Sequence, residues 1–101
     1  MEWLGEIWSI LPGKSTAIAG KVTVTAGSPV SLPDQPCGEG ATFIAGSANA
    51  GLIYLYPASG SKDDVMPLAA GDSVFWPVGN LNALKADASA DNQSLHWMGA
   101  V

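Results

Sequence analysis

The chain predicts a small all-β domain, a single β-sandwich or jelly-roll-like fold of seven or eight short antiparallel strands preceded by an apolar N-terminal arm. Two observations carry that prediction. Short stretches alternate apolar and polar residues at period two, as half-buried strands do, and clusters of Gly, Asn, Asp, Ser and Pro interrupt them roughly every ten residues. In the second half, Val74, Trp76 and Val78 share one side of an extended segment, and Leu95, Trp97, Gly99 and Val101 share one side of another. That half holds almost no chemically reactive side chain, so its pattern speaks of packing rather than catalysis.

Residues 1–16 differ in character from the rest. Trp3, Leu4, Ile7, Trp8 and Leu11 recur at three- and four-residue intervals, which places them on one face of a short helix ending before Pro12 and Gly13. Burying four of them at ~1.5–3 kcal/mol each gives a gross ~6–12 kcal/mol. Ordering about ten residues costs a similar amount, at ~1 kcal/mol apiece. The segment is therefore marginal alone and ordered only against a surface, either a partner's or the domain's own core. The expected division is an arm over 1–16 and a sandwich over 17–101.

From Gly20 the period becomes two. Over 21–26, Val22 and Val24 alternate with Thr23 and Thr25, and Gly27, Ser28 and Pro29 turn the chain into a short apolar stretch at 30–32. These two stretches are expected to be two strands of one sheet. Residues 33–40, with two prolines, two glycines, Asp34 and Glu39, read as a loop into a strand at 41–45. A turn at 46–51 precedes 52–56, which is apolar on both faces and so expected at the centre of a sheet. After a loop at 58–64 come a short stretch at 65–68, a turn at 70–72 and a strand at 73–78. A final hairpin is expected to pair 84–87 with 95–101. No repeat of 20–50 residues and no low-complexity tract interrupts this order.

Composition narrows the function. At 101 residues there is room for one compact domain. Charged residues make up 13% of the chain, against roughly 25% in a typical soluble domain, while 48% is hydrophobic. Such a surface is expected to be covered in part by a partner or another copy. The basic residues are Lys14, Lys21, Lys62 and Lys85, scattered and without arginine, and the net charge is −5. A phosphate-tracking protein needs clustered cations, so nucleic acid is not an expected partner. The acidic balance likewise disfavours anionic membranes. Cys37 is the one cysteine, so no intrachain disulfide and no cysteine-built zinc site is available, which fits synthesis in a reducing cytoplasm. The start Met1, Glu2, Trp3 lacks the basic region of a signal peptide, and no run approaches the ~20 apolar residues of a membrane span.

Several chemical motifs fail on spacing. Gly13, Lys14 and Ser15 resemble the end of a phosphate-binding loop, but Trp8 stands where that loop requires glycine. Asn92, Gln93 and Ser94 fit a glycosylation pattern, yet the expected place of synthesis removes its meaning and they are read as the tip of the last hairpin. His96 is the lone histidine, set between Leu95 and Trp97, and no spacing favours Ser94, Ser73 or Cys37 as its catalytic partner. Asp63, Asp64 and Asp72 lack the alternating ligands of a calcium loop and read as solvated turn carboxylates. Trp76, Trp97, Tyr54 and Tyr56 are either core or, in a minority reading, a sugar-stacking platform.

A resemblance adds what the residues alone do not. Val22-Thr23-Val24, Ser28-Pro29-Val30-Ser31-Leu32-Pro33, Cys37, Gly51-Leu52-Ile53-Tyr54-Leu55, Pro67-Leu68-Ala69-Ala70-Gly71-Asp72-Ser73-Val74 and Asn80-Leu81-Asn82-Ala83-Leu84, in this order, resemble a group of small structural proteins of tailed bacteriophages. The similarity covers about 22–101 and leaves the arm outside. It implies a non-enzymatic virion component, a capsid decoration or cement protein on the capsid exterior, made in the host bacterial cytoplasm. The implied partner is the major capsid protein, with self-association as a homo-oligomer, a trimer being the expected state, and no cofactor or metal. Trp3, Leu4, Ile7, Trp8 and Leu11 would then bind the shell or a second copy. The rival expectation is a receptor- or glycan-binding module of a tail or head fibre. A small hydrolase built on His96 is a remote third.

Overall fold

The computed structural model describes residues 16–101, and the expected arm contacts at Trp3, Leu4, Ile7, Trp8 and Leu11 lie outside the described residues. The described chain is an all-β sandwich of seven strands: β1 Ala17–Val24, β2 Val30–Ser31, β3 Ala41–Ala45, β4 Ile53–Pro57, β5 Ser73–Trp76, β6 Leu84–Ala88 and β7 Gln93–Ala100. They form two antiparallel sheets, one ordered β1-β7-β3-β5 and the other β2-β6-β4. Consecutive strands therefore alternate between the sheets without exception, the winding of a jelly roll.

That winding corrects three pairings expected from sequence. The segments at 21–26 and 30–32 do not share a sheet, because β1 pairs with β7 while β2 pairs with β6. The turn between them closes locally through a Thr25–Ser28 bridge and then hands the chain across the sandwich. The final hairpin does not exist either. β6 pairs with β2 and β4, whereas β7 pairs with β1 and β3, so residues 89–92 form a crossing between sheets. Gln93 and Ser94, expected at a hairpin tip, already belong to β7. The third correction concerns β4, an edge strand whose one neighbouring strand among the described residues is β6. Its outward side chains are shielded by a loop instead of by a second neighbouring strand. Lys62, at the start of a 3₁₀ turn Lys62–Asp64, stands 5.5 Å from the ring centroid of Tyr54 and 3.5 Å from the buried carboxylate of Asp87 on β6.

The core sits between the sheets, alternate residues of each strand being available to it. Phe43, Ala45, Leu95 and Val24 from the larger sheet meet Ile53, Leu55, Leu84 and Ala86 from the smaller one. Trp97 is also buried there, opposite Gly20 in the neighbouring strand, where a Cβ would lie 2.6 Å from Cζ2 of the indole. Gly20 is thus required for the ring to lie against β1. Segment 65–68 forms no strand; it runs beside the outer edge of β4 and touches it through one Ile53–Leu68 bridge. β5 ends at Trp76, two residues earlier than its apolar pattern suggests, because its partner β3 begins at Ala41 opposite Trp76 and the Val78 N–H, next in phase, bonds back to the Trp76 carbonyl at 2.9 Å.

Candidate functional site

The open side of the sandwich, between the two edge strands β4 and β5, holds an apolar cleft of about 420 Å³. Leu55 of β4, Val74 and Trp76 of β5, and Val65, Met66 and Leu68 of the connecting segment line it. Asp72 and Ser73 supply polar groups at its margin. The local sequence explains the shape. Gly71 adopts φ +83, and the Asp72 carboxylate accepts the Ala69 N–H at 3.0 Å, so the chain turns sharply from 65–68 into β5. The connecting segment thereby spans the two sheets without filling the gap between them. Met66 is 87% exposed at its rim.

A second surface is the outer face of the four-stranded sheet. Register puts Ala19, Met98, Thr42 and Phe75 in one row across it, and Lys21, His96, Ile44 and Ser73 in the next. Phe75 is 57% exposed and Met98 50%, and Lys21 is the one charge in these two rows. Met98 and Phe75 stand in that row with Thr42 between them, and exposed apolar patches mark contact surfaces more often than solitary exposed residues do.

His96 lies half-buried on that outer face, between Lys21 and Ile44 on its neighbouring strands. Among the described residues it has no hydrogen bond to Ser94, Ser73 or Cys37. The Ser94 hydroxyl donates instead to Asn49 Oδ1 at 3.3 Å, and the Cys37 thiol, fully buried, donates to the Val78 carbonyl at 2.9 Å. Burial pushes the Cys37 thiol up from its ordinary 9.0, which keeps it protonated and poorly nucleophilic at neutral pH. Among the described residues no three His, Cys, Asp or Glu side chains gather as metal ligands, Asp63 and Asp64 standing exposed in the 3₁₀ turn while Asp72 serves its own turn.

The four aromatics considered as a platform do not share a face. Trp97 is 8% exposed within the core, Trp76 lines the cleft on the inner side of β5, and Tyr54 and Tyr56 point from the outer face of the other sheet. Neither the cleft nor its rim was visible in the sequence, since it arises where β4 and β5, some twenty residues apart, become edges of facing sheets. The available signal was Met66, a large apolar residue in a segment too short and irregular to be a strand. Among the described residues no helix is long and apolar enough to cross a membrane. Compared with models of protein families and with curated proteins, the chain matches none.

Proposed function

We propose that this chain is a non-enzymatic capsid decoration or cement protein of a tailed bacteriophage, which binds the major capsid protein on the exterior of the virion. The observation that carries the reading is the outer face of the four-stranded sheet, where Phe75 and Met98 stand exposed in one row with a single lysine nearby. A cement protein needs an adhesive, charge-poor surface and no catalytic group, and symmetry multiplies weak contacts into stable attachment. The ordered turn and strand motifs that resemble phage structural proteins support the same reading. The apolar residues Trp3, Leu4, Ile7, Trp8 and Leu11 act in it as a clamp on neighbouring shell subunits, and copies associate with one another, as a trimer, at a symmetry axis.

Cryo-electron microscopy of capsids incubated with the purified chain tests this directly. Ordered density of this size between capsomers is the expected outcome, while a bare shell with density only at the tail would overturn it. Deleting residues 1–12 is expected to abolish co-sedimentation with capsids while leaving the β-sheet circular dichroism unchanged; retained binding would sink the clamp.

A further inference from the structure

We propose that the free edge of β5, together with the cleft beneath it, binds an extended peptide segment of a partner protein that carries a large aliphatic anchor flanked by basic residues. This stands independently of the capsid reading.

The hydrogen-bond phase of the sheet identifies the free groups. The Gly46 N–H bonds to the Ser94 carbonyl, so Ile44 and Thr42, at the same phase of β3, spend their backbone groups on β7. The Ala45 N–H bonds to the Asp72 carbonyl, so Phe43 and Ala41 pair with Val74 and Trp76 on β5. It follows that the N–H and C=O groups of Ser73 and Phe75 point away from β3, and among the described residues β5 has no other neighbour in its sheet. Across the gap, Leu55 presents its backbone groups outward for the same reason, since the Ala58 N–H bonds to the Ala83 carbonyl and Tyr56 and Tyr54 follow at that phase.

Adding a strand to an exposed edge uses these main-chain groups for affinity and alternate side chains for selectivity. Side chains of a strand laid beside β5 would point alternately inward, over Val74 and Trp76 into the apolar cleft, and outward, beside the exposed ring of Phe75. An aliphatic residue at the inward position fits a space lined by Leu55, Val65 and Leu68. Charge selects the neighbours of that anchor. Asp72 lies at the margin of the cleft, and Asp63 and Asp64 stand exposed immediately before Val65. Charge complementarity to this rim favours a partner segment with basic residues, whereas residues 1–15 of the chain carry Glu2 and Glu6 against Lys14.

The test is a titration of the isotope-labelled full chain, followed by backbone amide spectra, with a synthetic nonapeptide alternating threonine and leucine and ending in lysine on both sides. The largest shifts are expected at Ser73 and Phe75, with saturation at millimolar peptide or below. The same peptide ended by glutamate should bind at least about threefold more weakly at low salt. Phe75→Pro removes an edge N–H that β3 does not use and should weaken binding about tenfold. Absence of shifts at millimolar lysine peptide overturns the proposal. So do shifts centred on the free edge of β1, at Ala17, Ala19, Lys21 and Thr23, or equal affinity for the glutamate peptide.

Discussion

Cys37 illustrates how a fold fixes the chemistry of a residue that the sequence leaves open. It lies in a loop rich in glycine and proline, yet its side chain is fully buried and its thiol donates to the Val78 carbonyl. Desolvation raises its pKa above the ordinary 9.0, so the unfolded chain loses the proton first as pH increases. The stability carried by the protonated thiol is therefore complete below about pH 9 and declines as pH rises toward the folded value. Urea midpoints measured from neutral pH upward should fall more steeply above pH 9 for the native chain than for Cys37→Ala. Parallel slopes would show that the thiol does not contribute. Asp87 is another residue whose role only packing reveals. Buried on β6, its carboxylate accepts the Gly27 N–H at 3.2 Å and, within its own strand, the Ala88 N–H at 2.8 Å, and it faces Lys62, so that two separate segments are tied to one strand.

At the scale of elements, the Asn80-Leu81-Asn82-Ala83-Leu84 motif is turn chemistry leading into β6. Asn80 caps the 3₁₀ turn Leu81–Ala83, its Oδ1 accepting the Asn82 N–H at 3.0 Å and the Gln35 N–H at 3.1 Å while its Nδ2 donates to Asp34 at 2.9 Å. The turn then drives Leu81, fully buried, into the core. Asn80→Ala removes all three bonds and is expected to cost about 1–2 kcal/mol. The measurement is a lower urea midpoint at unchanged m-value; an unchanged midpoint would mean that water replaces the amide without loss. Asn49 plays the matching part for the crossing at the start of β7, accepting the Ser94 N–H at 2.8 Å and donating to the Ser94 carbonyl at 2.9 Å. Such asparagines are legible in sequence as turn residues. Their partners, some forty-five residues away, are not, because side-chain amides bind whatever backbone the tertiary fold presents.

For the whole molecule, the alternation of strands between sheets means that almost every pairing is distant in sequence. β1 and β7 join opposite ends of the described chain, from Ala17 with Ala100 to Val24 with Gln93. Closing such loops precedes any reward from contacts, so refolding is expected on the millisecond-to-second timescale in stopped-flow fluorescence, and a microsecond phase carrying the full amplitude would contradict this. Among the described residues the same winding leaves four edges, two of which converge on the cleft. The sandwich thus creates a concave surface where its sheets fail to close, while its exposed Phe75 and Met98 lie on the outer face of the larger sheet.

The sequence by itself determined the class of structure and most of the strands. The flanking loop and turn located β3 at Ala41–Ala45, period-two alternation located the inward set Leu95 and Trp97 on β7, and turn residues marked the breaks around Gly27 and Gly71, which both adopt positive φ. It understated β1, whose first four residues, Ala17, Ile18, Ala19 and Gly20, hold one large apolar side chain and carry little alternation to read, and it mistook the two-faced apolarity of β4 for a central position. Only the tertiary structure decided which strands pair, where the sheets remain open, and which aromatics are buried. The physical reason is that alternation reports which side of a strand faces a core, a local property. Pairing depends instead on loop closure and on the fit of two whole faces, to which every residue of the fold contributes.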